Sequence, residues 1–486
     1  MTCMVHTDSA AERSAPQSAA KPASLRSDRR AWLVVLAACA GQFLVVLDVS
    51  VVNVALPSMR ADLGLSATGL QWVLNAYSIA FAGFMLLGGR AADLFGRKRM
   101  FLLGLGLFTA ASIAGGLAQE GWQLVAARAV QGLGAAVLAP ATLTIVTAAV
   151  PAGPARTRAI GTWTAVGAAG GAAGGFVGGL LVDLLSWRWV LLINVPVGVL
   201  VLMGALVWLT ESRAHGGRRL DLPGAVLVTG GLASVAYGIV QTEEAGWGDP
   251  VTLAPLLGGL ALLGAFVAVE ARTAAPLMPL RVFRSRAVTS ANAALLLCAS
   301  TSFGMWFFMT VYAQNVLGYT PLQAGLALVP SSVSVIIGSK LAPRLMPVTG
   351  ARNLAVIGAL VAATGFGWQS TMTTDGTFLS IILGPGVLMM AGMGLLMPPL
   401  ATLATAGAEP GEAGLVSGLV NTSRTMGGAL GLAVLSTVAA ARTAGGHTPE
   451  ALTAGYALAF RTAGVVLVAA AVLMLLWLPR PERTKV

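Results

Sequence analysis

The chain has 486 residues, of which 56% are hydrophobic and only 10% charged, with a mean hydropathy of +0.80. Soluble domains carry roughly 25% charged residues because their surfaces face water, so this composition excludes a soluble globule and any enzyme built as one. The formal net charge of +11 remains to be explained by where the cations fall.

Residues 1–30 are polar, with Ala, Ser and Pro scattered among charges. They are expected to be a disordered cytoplasmic tail, and no apolar core with a small-residue cleavage site marks a signal peptide. Fourteen runs of roughly 20 predominantly apolar residues follow, each long enough to span a bilayer. They lie near 32–56, 68–88, 100–118, 122–149, 159–182, 189–209, 222–242, 251–269, 287–312, 321–341, 353–370, 378–405, 414–440 and 456–478. The predicted fold is therefore an all-α membrane protein of about fourteen transmembrane helices. An even count returns the C-terminus to the side of the N-terminus. With this threading, 24 of the 30 Lys and Arg fall on that side, and only Arg60, Arg188, Arg442 and Arg461 lie at the other. The positive-inside rule then places both termini in the cytoplasm. The basic pI is topology, and no nucleic-acid partner is expected.

An internal repeat organises the spans. Span five carries Gly161, Gly170 and Gly174, and span thirteen carries Gly418, Gly427 and Gly431 at the same spacings. One span earlier, Gly132-x-Gly134 precedes Pro140, as Gly392-x-Gly394 precedes Pro398, at offsets of 257 and 260 for the two sets of glycines. Spans 1–6 thus match 9–14. The expected divisions are a six-helix half over 31–210, an inserted helix pair (spans 7–8) over 211–272, a second half over 273–480 and a tail over 481–486.

In span one, Leu47-Asp48-Val49-Ser50-Val51-Val52-Asn53-Val54-Ala55-Leu56-Pro57 carries the only acid of 19 well inside a span. Among cations, only Arg128 and Arg424 are embedded in the same sense. Charges in hydrocarbon are costly and by default functional. At 1.5 Å per residue, Asp48 lies about 12 Å and Arg128 about 9 Å inside the same membrane face, so the two can pair. Burial favours the protonated carboxyl and a nearby guanidinium favours the carboxylate. A change in their separation would therefore bind and release a proton. The competing reading makes Asp48 a fixed structural partner of Arg128.

After span two comes Gly88-Gly89-Arg90-Ala91-Ala92-Asp93-Leu94-Phe95-Gly96-Arg97-Lys98-Arg99. This resembles motif A of the major facilitator superfamily. The resemblance implies a gating role for Gly89, Asp93, Gly96, Arg97 and Lys98, with Asp93 exchanging arginine partners between the halves. The span-one element, Gln71-Trp72-Val73-Leu74-Asn75-Ala76-Tyr77, Trp187-Arg188-Trp189, Asn194-Val195-Pro196-Val197-Gly198 and Asn421-Thr422-Ser423-Arg424 resemble the fourteen-helix drug:proton antiporters of that superfamily. Arg128 in Arg128-Ala129-Val130-Gln131-Gly132 resembles its motif B. Its glycine pair is no dinucleotide loop, since no strand precedes it.

Span five is similar to the antiporter motif C at Gly161, Gly170, Gly174, Gly178 and Gly179, with Gly175 in place of the motif's proline. Independently of any family, these glycines form two ridges at four-residue spacing that admit close helix packing. The resemblance implies two halves that rock about a midplane site. It also implies export of a hydrophobic or amphiphilic drug or antibiotic against protons from the bacterial plasma membrane.

Gln42, Asn53, Trp72, Asn75, Tyr77, Trp163, Trp306, Asn421 and Arg424 are the candidate cavity lining, with packing or interfacial anchoring as the competing reading for each. No Walker A sequence is present, so the proton gradient is the expected energy source. Three cysteines and three histidines give no metal framework, and no cofactor is expected. One embedded acid against two arginines argues for a neutral or weakly charged small-molecule substrate. A monomer in lipid is expected. The rival readings are a proton-coupled metabolite symporter of the same superfamily and a non-transporting membrane sensor or scaffold.

Overall fold

A computed structural model describes residues 23–150, 154–212, 221–273, 276–278, 280–406, 413–443, 446 and 448–479; a few side chains within its helices, that of Asp93 among them, are not described. The described residues form helices and no strands. The first half comprises α1 (Ala23–Leu63), α2 (Ala67–Phe95), α3 (Arg97–Gly116), α4 (Gly121–Ala149), α5 (Pro154–Leu184) and a sixth span broken at Ile193 into α6 (Arg188–Leu192) and α7 (Asn194–Trp208). The inserted pair is α8 (Leu222–Ala245) and α9 (Pro250–Arg272). The second half comprises α10 (Arg286–Asn315), a span broken at Leu328 into α11 (Pro321–Ala327) and α12 (Val329–Thr349), then α13 (Ala351–Gln369), α14 (Gly384–Ala406) after a π-helical turn, α15 (Ala413–Thr443) and α16 (Pro449–Trp477).

Thirteen spans are long and apolar enough to cross a membrane; α13 falls short because Arg352, Asn353 and Gln369 sit at its ends. It nevertheless packs between α14 and α16 as a full member of the bundle. Helix α1 starts at Ala23, so residues 23–30 are helical, while the apolar span itself runs over Ala31–Leu63. Below, the near end of the bundle is where α1 begins and α16 finishes, and the far end is the opposite one.

The two halves share one packing scheme. α1 packs on α5, α2 on α4 and α3 on α4, just as α10 packs on α15, α12 on α14 and α13 on α14. Glycine sets these contacts. A Cβ on Gly170 would meet the Phe43 carbonyl oxygen at 3.0 Å, and one on Gly427 the Leu296 oxygen at 2.2 Å. Gly134 seats on Phe108 and Gly104 of α3, and Gly392 on Ala362 and Gly358 of α13. The fourth and twelfth spans therefore superpose Gly134 on Gly392, an offset of 258 that also aligns Pro140 with Pro398. Aligning Gly132 with Gly392 by sequence alone was two residues out of register, because Gly-x-Gly pairs match equally well one glycine along.

The near-end turns repeat as well. Gly96 (φ +111°) and Gly350 (φ +78°) join the second to third and the tenth to eleventh spans in a conformation that disfavours a Cβ. Two residues on, Lys98 Nζ donates to the Leu206 carbonyl at 2.8 Å and Arg352 donates to that of Leu475. Each cation thus caps the end of its own half's sixth span, where unsatisfied carbonyls favour positive charge. The inserted pair lies beside the contact between the halves: α8 touches α2, α15 and α9, while α9 packs mainly on α8.

Candidate functional site

Every span of the first half except the fifth converges on one buried ion pair. Arg128 Nη1 of α4 lies 2.6 Å from Asp48 Oδ2 of α1, with side-chain exposures of 1% and 0%. Gln131 Nε2, one turn beyond Arg128, and Asn194 Nδ2, at the start of α7, each donate to Asp48 Oδ1 at 2.8 Å. Ser112 of α3 accepts from both amides and donates to the Leu191 carbonyl. The guanidinium also donates through Nε to the Val73 carbonyl and lies 4.3 Å above the Tyr77 ring of α2.

Such a site has a definite chemistry. Asp48 accepts three hydrogen bonds here, an arrangement suited to an ionised carboxylate, which can only accept. The pair is neutral as a unit, and that is what makes two buried charges tolerable. Of the site's members, Asp48 and Arg128 were legible as the embedded charges of their half. Gln131 and Asn194 stood inside recognisable motifs without an assigned role, and Ser112 gave no signal beyond being polar in an apolar run.

The second half carries no counterpart. The glycine contacts align α1 with α10 at an offset of 253 and α4 with α14 at 258. Asp48 then matches Thr301, which bonds its own helix at the Cys298 carbonyl, and Arg128 and Gln131 match Gly386 and Met389.

The glycine ridges of α5 serve two different partners. Gly170, Gly174 and Gly178 lie on α1, where a Cβ at Gly174 would fall 2.3 Å from that of Ser50; Ser50 Oγ donates to the Gly171 carbonyl at 2.8 Å. The second ridge crosses to the other half. A Cβ on Gly325 of α11 would lie 2.1 Å from the Gly175 oxygen, and one on Gly179 would lie 2.6 Å from Leu322 Cα. Leu322 N donates to Asp183, and Gln314 Nε2 of α10 donates to the Val54 carbonyl. The halves are thus sealed at the far end by backbone-level contact. Gly175, the motif's departure from proline, is itself part of the seal. The side of Gly161 lies outside what is described.

At the near end the Asp93 side chain lies outside the described residues, and the loop's visible anchor is Glu211, just beyond α7. Its carboxylate accepts from the Lys98 and Arg99 amides, each at 3.2 Å, capping α3 where the helix dipole favours an anion. A Cβ on Gly96 would lie 2.4 Å from Glu211 Oε1. Arg97 N donates to the Ser212 carbonyl, Arg90 reaches the Pro276 carbonyl, and Gly89 has only Pro140 nearby. Glu211 was missed because nothing in its sequence neighbourhood links it to a turn more than 110 residues earlier.

The candidate lining residues divide. Tyr77 belongs to the ion-pair site. Trp72 packs against the apolar cluster that includes Ala236 of α8 and Ala429 of α15, and its ring, 6.1 Å from that of Tyr237, lines with it a far-end cleft of about 380 Å³. Trp163 donates to Thr142, Asn53 to its own helix at Val49, and Trp306 packs on the main apolar core. Asn75 is fully buried with neither amide atom partnered among the described residues, and Gln42 leaves its carbonyl oxygen so. Asn421 is partly buried on α15. Arg424 of α15 is exposed to solvent although protein surrounds it closely.

Comparison with known proteins agrees with this architecture. The family model described as Major Facilitator Superfamily matches residues 38–432. The chain is 48% identical to the cephamycin export protein CmcT of Amycolatopsis lactamdurans over 461 residues, 94% of each chain. It is 40% identical to the puromycin resistance protein pur8 of Streptomyces alboniger, covering 94% of this chain and 93% of that one. The tetracenomycin C resistance and export protein of Streptomyces glaucescens is 34% identical over 85% of this chain and 77% of its own length. Among solved structures, a mutant form of the nucleoside transporter NupG matches with a TM-score of 0.67 at 14% identity, covering 91% of this chain and 99% of that one. A D-xylose-proton symporter matches at 0.65 and 16%, covering 92% and 98%.

Proposed function

Because the chain belongs to the major facilitator superfamily, we propose that it exports a hydrophobic or amphiphilic antibiotic from a bacterial cell in exchange for protons. Relatives that are similar over nearly the whole chain are named for antibiotic export or resistance, which supports the export direction. The positive-inside bias supports a cytoplasmic near end, and in that orientation the far-end contacts close this conformation toward the outside.

The observation that carries the coupling is the Asp48–Arg128 pair, buried in one half only. In the closed state Arg128, Gln131 and Asn194 hold Asp48 as a carboxylate. When the seal between α5 and α11 parts and the halves rock, α1 and α4 are free to shift against each other. Loosening the Arg128 contact opens a carboxylate oxygen to an outside proton, which replaces the guanidinium as its partner. Return to the closed state restores the pair and expels the proton inward. Substrate leaves in the step that admits the proton, and the gradient drives export without any cofactor.

The test is proton flux. Everted vesicles holding the protein should lose their imposed pH gradient when a transported compound is added, with a cephamycin, puromycin, lincomycin and tetracenomycin C as the first panel. Asp48→Asn should abolish that response at unchanged protein level. Undiminished gradient-driven export by Asp48→Asn would refute the assignment of the coupling site.

A further inference from the structure

The embedded charges are not all spent on the ion pair. Asp48 neutralises Arg128, which leaves Arg424 of α15 as a cation within a span. Among the described residues it has no hydrogen-bond or ion-pair partner. It lies eleven residues past Ala413, about 17 Å along the helix, and is reachable by water while ringed by protein.

Its position is fixed by its neighbours. Ser423 Oγ bonds Asn292 Oδ1 at 3.0 Å, and Gly427 and Gly431 seat on the Leu296 and Ser300 carbonyls, so α15 is locked in register on α10. One turn beyond Arg424, a Cβ on Gly428 would lie 2.8 Å from the Phe303 ring, and that ring is only partly buried. Residues four apart share a helix face. Residue 424 and the ring-bearing stretch at Gly428 thus share one face of α15, about 6 Å apart along the helix axis.

A planar guanidinium is the side chain best matched to a carboxylate, through two parallel hydrogen bonds. A cation within a span that has no countercharge favours an anionic ligand over a neutral one and disfavours a cationic one. We infer that Arg424 and Phe303 form a substrate subsite for an amphiphilic organic acid, the acid group on Arg424 and the apolar body against Phe303. The inference rests on the chain being an exporter, deepens that reading, and replaces the expectation of a neutral substrate drawn from composition.

Binding to the purified full-length protein in detergent tests it without any gradient. The probes are 1-pyrenebutyrate and 1-pyrenebutanol, an acid and a neutral alcohol with the same ring system, read by energy transfer from tryptophan. The acid should bind roughly tenfold more tightly. Arg424→Gln should weaken the acid alone until the two probes bind equally, Arg424→Lys should retain part of the preference, and Phe303→Ala should weaken both alike. Equal binding of both probes to the unaltered protein would overturn the proposal, as would an Arg424→Gln variant that loses both equally. If the Gln variant does not fold, the Lys variant and the unaltered protein still decide. Failure of proton-driven export with the acid preference intact would sink only the transport reading. Export with no acid preference would sink only this one.

Discussion

Asp48 of α1 and Arg128 of α4 lie 80 residues apart in sequence and 2.6 Å apart in space, both sealed from solvent. Removing either partner leaves the other charged and buried, which costs about 3–5 kcal/mol in the measured cases of buried pairs. Asp48→Asn and Arg128→Gln should each lower the thermal unfolding midpoint of the detergent-solubilised protein. The double variant should recover most of the loss without recovering export. If the single losses simply add, the two residues do not interact as described.

Glycine positions across the bundle offer a graded test of close packing. Gly174→Ala places a methyl 2.3 Å from Ser50 Cβ, and overpacking of this kind costs about 1–3 kcal/mol. Gly106→Ala, Gly264→Ala and Gly367→Ala meet nothing within 4 Å and should be neutral or slightly stabilising, since alanine is the better helix former. Thermal midpoints of the four variants, measured side by side, check the ordering.

The contact between Gly175 and Gly325 predicts a transport defect with a defined cause. Gly325→Val puts its side chain 2.1 Å from the Gly175 oxygen, so the far end cannot close. Export should fall by more than tenfold at normal membrane level. A cysteine introduced at Leu322, beside Gly179, should become more reactive to an impermeant thiol reagent added outside. Unchanged reactivity would show that the seal is not needed to shield that end.

At the near end, Gly96→Ala confronts both a positive φ and the Glu211 carboxylate, so it should cost export and stability together. Glu211→Gln keeps the shape but removes the charge at the start of α3, where such an anion contributes about 0.3–1 kcal/mol. It should be folded and only mildly impaired. A Gln variant as defective as Gly96→Ala would mean that Glu211 does more than cap the helix.

The helical bundle was legible because a bilayer imposes a length and an apolar content on each span, and those are properties of consecutive residues. Embedded charges were legible for the same reason, since Asp48, Arg128 and Arg424 interrupt apolar runs. Span eleven is shorter in apolar content than the others, because Arg352, Asn353 and Gln369 sit at the ends of α13. Partners were a different matter. Asn194 and Ser112 join the carboxylate from spans that nothing in the chain order brings together, and Glu211 meets Gly96 across the whole first half.

From the sequence alone follow the membrane setting, the two repeated halves, the inserted pair and an acid and an arginine at matching depth, because each depends on local composition or on spacing along one helix. Tertiary structure alone decided the rest. The repeat runs at 258 in the fourth and twelfth spans, and one glycine ridge of α5 packs within its half while the other closes against α11. Trp72 packs against α8, and among the described residues Arg424 has no countercharge. These depend on which helix faces which, a choice made by the summed packing of the bundle that leaves no mark on any single stretch of chain.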